Sequence, residues 1–231
     1  MKLLAIDTSG RVATACIMAE DCILARIATD DKLTHSQSLM PMVDTLFRMT
    51  ELSVADMDAV AIAQGPGSFT GLRIGAATAK GLASGVGIPV IGVCTLAGLA
   101  ANLVTTDTIC PVMDARRNQV YTATYRTENG ILREIQPPRA VSVTRLIQSV
   151  PTDRPIIYTG DGVIPFRDTL RETPGVVRFA PIHRLKQDAS SIAVLAAARY
   201  VPGMADDYTL DYLRKPQAER EREERMRYAD Q

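Results

Sequence analysis

Two tight turns gather the groups best suited to chemistry, Asp7-Thr8-Ser9-Gly10 and Asp114-Ala115-Arg116-Arg117, each at the end of an apolar run. An Asp in such a place can shape its turn through a side-chain-to-backbone hydrogen bond. A third candidate is Gln64-Gly65-Pro66-Gly67-Ser68, where a Gly-Pro-Gly turn between a strand and a helix has the outline of a phosphate cradle. It lacks the lysine of a Walker loop and does not match G-x-G-x-x-G, so the commonest nucleotide-binding routes are unsupported. The two histidines fall in different halves of the chain. His35 reads as an exposed residue of a helix cap and His183 as a loop residue, and no Cys-His or Ser-His-Asp set follows from spacing. Cys16, Cys22, Cys94 and Cys110 lie in apolar, strand-like segments without C-x-x-C spacing. They read as reduced core residues rather than a disulfide or zinc framework.

These groups need a scaffold, and the periodicity supplies one. Residues 3–6, 13–18 and 22–28 read as strands joined by tight turns, an antiparallel meander. An amphipathic helix over 34–52 follows, with Leu39, Met42, Val43 and Leu46 at helical spacing and Pro41 in its early turns. A buried strand at 59–63 runs into the Gly-Pro-Gly turn, and Ser68 or Thr70 caps the next helix. In that helix Gly71, Gly75 and Ala79 recur every four residues and form one bare stripe. An interior glycine costs roughly 1 kcal/mol in a helix, so the row requires a close neighbour. That neighbour is either the chain's own sheet or a partner helix or ligand. A strand at 89–94 and a small-residue helix at 95–103 follow.

The pattern restarts at Ile109. Strands at 109–113, 120–125 and 131–135 repeat the meander, with Asp114 where the first copy has Asp7. A bend at Pro137-Pro138 precedes a helix at 143–150. A strand at 156–159 ends at Gly160-Asp161-Gly162, and a helix at 164–173, a strand at 175–179 and a helix at 190–200 complete the second half. The expected domains are 1–105 and 106–210, with a charged tail at 211–231.

Lys plus Arg and Asp plus Glu both total 26, so the formal net charge is zero. A chain that holds nucleic acid by itself usually shows a basic surplus, so any RNA contact is expected to be shared. The apolar run at the N-terminus is too short for a signal peptide, and no run reaches the ~18 apolar residues of a membrane span. A soluble, cytoplasmic protein is expected.

The two copies, each with an Asp in its first turn, resemble the duplicated architecture of the actin, hexokinase and acetate-kinase superfamily. This is a ribonuclease H-like α/β fold of two lobes, each with a mixed sheet that opens in an antiparallel meander. The resemblance implies that the turns face each other across a cleft and grip phosphates. Asp7, Thr8, Ser9, Asp114, Arg116, Gly160 and Asp161 are then the candidate nucleotide positions. The plainer alternative stays open: turn-shaping aspartates, solvated Arg116 and Arg117, and a simple turn at 160–162. Tyr121 reads as strand packing, and Arg73 as either solvated or paired with a partner.

Ala5-Ile6-Asp7-Thr8-Ser9, the run from Gln64 to Ala83, the segment from Asp114 to Tyr121 and the segment 212–219 are together similar to the TsaB (YeaZ) family. That family serves tRNA threonylcarbamoyladenosine biosynthesis, and the resemblance covers essentially the whole chain. It implies pairing with TsaD through the first lobe, work alongside the ATPase TsaE, a homodimer when alone, and tRNA contact only through the complex. The docking face it implies comprises Gly71, Leu72, Gly75 and Ala79 with Leu39, Met42, Val43 and Leu46. No cofactor of its own is implied; ATP or ADP would bind weakly or at a shared interface. TsaD-like enzymes hold a metal with two histidines four apart, where this chain has Thr95 and Leu99, which implies a lost metal centre and a non-catalytic scaffold. A metallopeptidase-like enzyme and a small-molecule kinase are the alternatives, and the charged tail is expected to order on TsaE or TsaD.

Overall fold

The computed structural model describes residues 1–30 and 33–213. The first half forms β1 (Lys2–Asp7), β2 (Ala13–Ala19), β3 (Cys22–Thr29), α1 (His35–Thr50), β4 (Ala59–Gly65), α2 (Phe69–Val86), β5 (Val90–Cys94) and α3 (Thr95–Ala101). The second forms β6 (Thr108–Asp114), β7 (Gln119–Glu128), β8 (Ile131–Ser142), α4 (Val143–Ser149), β9 (Ile156–Thr159), α5 (Val163–Arg171), β10 (Val177–Phe179) and α6 (Ala189–Ala197). Two five-stranded sheets result, ordered β3-β2-β1-β4-β5 and β10-β9-β6-β7-β8. In each, the first strand of the repeat is central, antiparallel to the next strand and parallel to the one after the first helix. The expected duplicated α/β fold with a mixed sheet in each lobe is what the chain adopts.

The central strands are apolar on both faces because helices cover both. Leu4 and Ile6 of β1 join the cluster under α1 and α2, whereas Leu3 and Ala5 point to the opposite cluster under α6. In the second lobe Cys110 and Val112 face α4 and α5, and Ile109 and Met113 face α3. The expected domain boundary is therefore corrected. Leu96, Leu99 and Ala100 of α3 pack on the second sheet, and Ala189, Ile192, Ala193 and Ala196 of α6 pack on the first. Each lobe borrows a helix that chain order would give to the other. The two helices cross at Gly98, where a Cβ would stand 2.6 Å from Ile192 Cδ1. Asn102 Nδ2 donates to Lys186 O at 2.9 Å, and Ser191 Oγ to Asn102 Oδ1 at 2.7 Å.

The segment after α6 also belongs to the first lobe. Asp207 N donates to Val90 O and Gly92 N to Asp207 O, both at 2.8 Å, and Asp211 N reaches Gln64 O at 2.8 Å. This strap covers the β5 edge, which would otherwise present unpaired backbone groups. The expected charged tail falls mostly on residues 214–231, outside the described residues. The expected bend at Pro137-Pro138 is instead the inside of β8. Thr122 pairs with Arg139 and Thr124 with Gln136, so β8 carries an extra residue there. Two prolines are tolerated because the strand is an edge and the irregularity relieves the ladder.

Candidate functional site

The site begins with Thr8. Its Oγ1 donates to Gly71 O at 2.8 Å. A Cβ on Gly71 would strike Thr8 O, and one on Gly75 would lie 2.5 Å from Thr8 Oγ1. The Gly71–Gly75–Ala79 stripe is thus bare so that α2 can lie directly on the end of β1. Ser68 caps that helix, its Oγ accepting from Gly71 N at 3.3 Å. Gly67 leaves no room for a Cβ against Ser9, and Ser68 N donates to Ser9 O at 2.7 Å. The Gly-Pro-Gly turn and the Asp7 turn are therefore locked together.

This overturns the expected docking face. Leu39, Met42, Val43, Leu46, Leu72 and Ala79 are buried, as are Gly71 and Gly75. Baring such side chains costs roughly 1.5–3 kcal/mol each, which over the set is on the order of the whole folding free energy of a domain. The inner stripe serves the chain's own packing. A second row on α2, Ala77, Gly81 and Gly85, is exposed, and a Cβ on Gly81 or Gly85 would meet no described residue within 4 Å.

Between the lobes lies a cleft of about 550 Å³. Ser9 and Gly10 reach it from one lobe, Asp114, Arg116 and Asp161 from the other, and the start of α2 with Gly67 and Ser68 borders it. Four of the seven residues named for a nucleotide cleft thus meet there. Asp7 and Thr8 do not line it; each is 2% exposed and sits behind Ser9. Gly160 is likewise not in the lining. It has φ +101°, and a Cβ would strike Val112 O, so this glycine turns the chain.

Asp7 Oδ1 accepts from Ser9 N at 2.8 Å and from Ser9 Oγ at 2.6 Å. Burial pushes its carboxyl up to about 6, although the two Ser9 bonds and the His35 charge pull the other way. Asp114 N donates to Asp161 Oδ1 at 3.3 Å. The Asp161 carboxyl is raised chiefly by burial, with the Asp114 charge adding to it. Among the described residues no group of three or more His, Cys, Asp or Glu is placed to hold a metal ion. Thr95 and Leu99 are buried, Leu99 inside the apolar cluster beneath α3, so the residues at those positions do not fit a metal.

Several side chains differ from their sequence readings. His35 is half-buried, and its Nε2 lies 2.9 Å from Gly10 O, so it supports the loop rather than a solvated cap. Arg73 is neither simply solvated nor free for a partner: its guanidinium stacks 3.9 Å from the Phe69 ring centre and its Nε donates to Tyr212 Oη at 3.4 Å. Phe69 and Tyr212 pack with centroids 4.9 Å apart, which brings the strap to the cleft mouth. Tyr121 lines the cleft rather than only filling a strand face. Cys22 is exposed, against the expectation of a core thiol, because it opens the edge strand β3. No local sequence signal marks Tyr212, Gln187 or Lys186 as cleft residues, since strap and loop arrive there only through the return of α6 to the first lobe.

Two lobes with the same strand order, each ending its central strand in an Asp turn beside a common cleft, define the duplicated actin-like class. The ethanolamine utilization protein EutJ of Carboxydothermus hydrogenoformans shares the fold, with TM-score 0.53 over 84% of this chain and 89% of its own at 11% identity. The family model described as TsaD, tRNA N6-adenosine threonylcarbamoyltransferase, matches residues 23–219. The chain is 34% identical over 226 residues to the tRNA threonylcarbamoyladenosine biosynthesis protein TsaB of Bacillus subtilis, covering 95% of this chain and 96% of that one. A Pseudomonas aeruginosa protein described as similar to peptidase YEAZ superposes with TM-score 0.75 at 26% identity, over 91% of this chain and 99% of its own. The chain belongs to the TsaB (YeaZ) family within the TsaD group.

Proposed function

We propose that this chain is a non-catalytic partner subunit in tRNA threonylcarbamoyladenosine synthesis. It docks on TsaD, works with TsaE, and supports transfer of the threonylcarbamoyl group to the adenosine beside the anticodon. The observation that carries this reading is α3. The family resemblance puts metal-holding histidines at its positions 95 and 99, and here Thr95 and Leu99 are buried and Leu99 belongs to a closed apolar cluster. A metallopeptidase-like reaction or an independent kinase has no such support.

Docking uses the outer faces of α1 and α2, where Met40 and Met49 are 46% and 68% exposed and Gly81 and Gly85 leave the helix backbone open to a close neighbour. In the free chain that face pairs with a second copy. ATP or ADP binds weakly in the inter-lobe cleft or at the shared interface, and tRNA is reached through the complex. Reconstitution tests this: supplied with threonylcarbamoyl adenylate, which releases AMP on transfer, and with ATP, TsaD and TsaE with this chain modify tRNA, and Gly81→Arg stays folded but neither co-elutes with TsaD nor supports modification. Modification at the full rate without the chain, or by the chain without TsaD, sinks the proposal.

A further inference from the structure

The strap that follows α6 is anchored in two different ways along its length. Up to Asp211 it is part of the first lobe. Asp207 exchanges backbone bonds with Val90 and Gly92, Tyr208 and Leu210 sink into the first core, and Asp211 N donates to Gln64 O at 2.8 Å. Among the described residues no backbone hydrogen bond follows that one, and Tyr212 is held through its side chain. Its ring packs on Phe69, and its Oη accepts from Arg73 Nε at 3.4 Å, beyond the usual length of such a bond. Tyr212 is 36% exposed, and contacts made in water contribute little each. A modest competing interaction therefore suffices to release it.

The second observation is where this lightly held end lies. Tyr212 and Leu213 line the inter-lobe cleft with Phe69, and Met113, Tyr121 and Ile164 line it from the other lobe. Arg73, which holds Tyr212, is exposed on the outer face of α2, one turn before Ala77 and two before Lys80 and Gly81. Lys80 reaches the strap as well, pairing with Asp206, whose Oδ1 accepts from Val90 N at 2.9 Å. The strap is thus the flank of the face to which docking is assigned above, and its end is a wall of the cleft. Arg73 stands between the two.

We propose that Tyr212 gates the inter-lobe cleft, and that a protein partner docked on α2 opens the gate through a carboxylate that draws Arg73 away. Docking can shift the gate only through a contact that differs between its two states. Arg73 provides that contact, because its Nε cannot donate to Tyr212 and to a partner carboxylate at once. The carboxylate wins, since a bond between two ionised groups is stronger than one to a phenol oxygen. Once Arg73 turns outward, the cation over the Phe69 ring is lost together with the Tyr212 bond. The Tyr212 ring then leaves Phe69, and that side of the cleft widens. The trigger rests on the docking role proposed above, whereas the gate belongs to the free chain.

The test is fluorine NMR of the full chain labelled with fluorotyrosine, the two signals of interest being assigned by Tyr212→Phe and Tyr121→Phe. Adding TsaD is expected to move the Tyr212 signal. It is also expected to increase the broadening of the Tyr121 signal by a soluble nitroxide, because Tyr121 lines the cleft. Arg73→Ala, at an exposed position, shows both changes in the free chain without TsaD. Phe69→Leu, which removes the ring beneath Tyr212, displaces the Tyr212 signal in the same direction. Co-elution of TsaD with an unmoved Tyr212 signal overturns the proposal, as do unchanged signals in Arg73→Ala. A Tyr212 signal that moves while the nitroxide effect on Tyr121 stays constant overturns the gating. If TsaD does not co-elute, the docking role and the trigger fall together, and the Arg73→Ala comparison alone decides the gate.

Discussion

Asp7 and Asp114 make the same bond at equivalent places in the two lobes. Asp7 Oδ1 accepts from Ser9 N at 2.8 Å and Asp114 Oδ1 from Arg116 N at 2.7 Å, each two residues on. The turn-shaping role and the cleft role are therefore not alternatives: the bond sets the loop, and the loop delivers Ser9 and Arg116 to the cleft. The lobes have diverged in burial, because Asp7 is 2% exposed while Asp114 is half-buried at the rim.

That burial makes Asp7 a source of pH dependence. Its carboxyl rises from 3.8 to about 6 in the folded chain, so between those values the folded state binds a proton that the unfolded state lacks. Stability falls as pH rises through this window, by at most ~3 kcal/mol from this group, and Asp161 is shifted in the same direction. Urea unfolding at pH 4.5 and pH 7 is expected to show a smaller difference in Asp7→Asn than in wild type. An unchanged difference would mean that Asp7 is better solvated than its packing indicates.

The two glycine rows of α2 respond in opposite directions. Gly81→Ala meets no described residue and stabilises the free chain by ~0.5–1 kcal/mol through helix propensity. Gly75→Ala drives a methyl against Thr8 Oγ1 and destabilises it by ~1–3 kcal/mol. Thermal melts of the two variants settle the matter, and equal shifts would contradict the assignment of inner and outer faces.

Helix exchange between the lobes depends on the crossing at Gly98. Gly98→Ala forgoes much of its ~1 kcal/mol helix gain because the new methyl crowds Ile192 Cδ1. Ile192→Val alone costs ~0.5–1.5 kcal/mol, and it costs less in the Gly98→Ala background, where it removes the crowded atom. A double-mutant cycle in urea measures the coupling; strictly additive costs would show that the helices do not touch there.

Thiol chemistry reads the fold directly. Cys22 is exposed, whereas Cys16 and Cys110 are buried and burial pushes both thiols up to about 12. Cys94 is half-buried and raised by the same cause. A chromogenic disulfide reagent at pH 8 is expected to modify one thiol rapidly in the native chain and four in denaturant. Rapid native modification after Cys22→Ser would contradict the packing of Cys16, Cys94 or Cys110 in β2, β5 and β6.

Much of the framework was legible in order along the chain, because it rests on local rules. Alternation and apolar runs gave the strands, Ser68 and the spacing of Leu39, Met42, Val43 and Leu46 gave the helices, and the recurrence of Asp7 at Asp114 gave the duplication. The family resemblance came from runs such as Gln64 to Ala83, where Gly71, Gly75 and Ala79 pack within the lobe. Pro137-Pro138 misled because a bulge in an edge strand accepts prolines that a central strand refuses.

Helical spacing reveals that α2 has bare rows, but it does not say which one meets the sheet. Gly71–Gly75–Ala79 and Ala77–Gly81–Gly85 carry the same signature, and only the position of Thr8, 63 residues from Gly71 along the chain, makes the first row internal. The cleft's wall is equally non-local: Lys186, Gln187 and Tyr212 join Ser9 and Asp114 because α6 and the strap cross back to the first sheet. The sequence by itself determined the elements, their duplication and the kinship. Tertiary structure decided which faces are inside, which helix belongs to which lobe, and which polar groups share a cavity, because those depend on contacts between residues far apart in the chain.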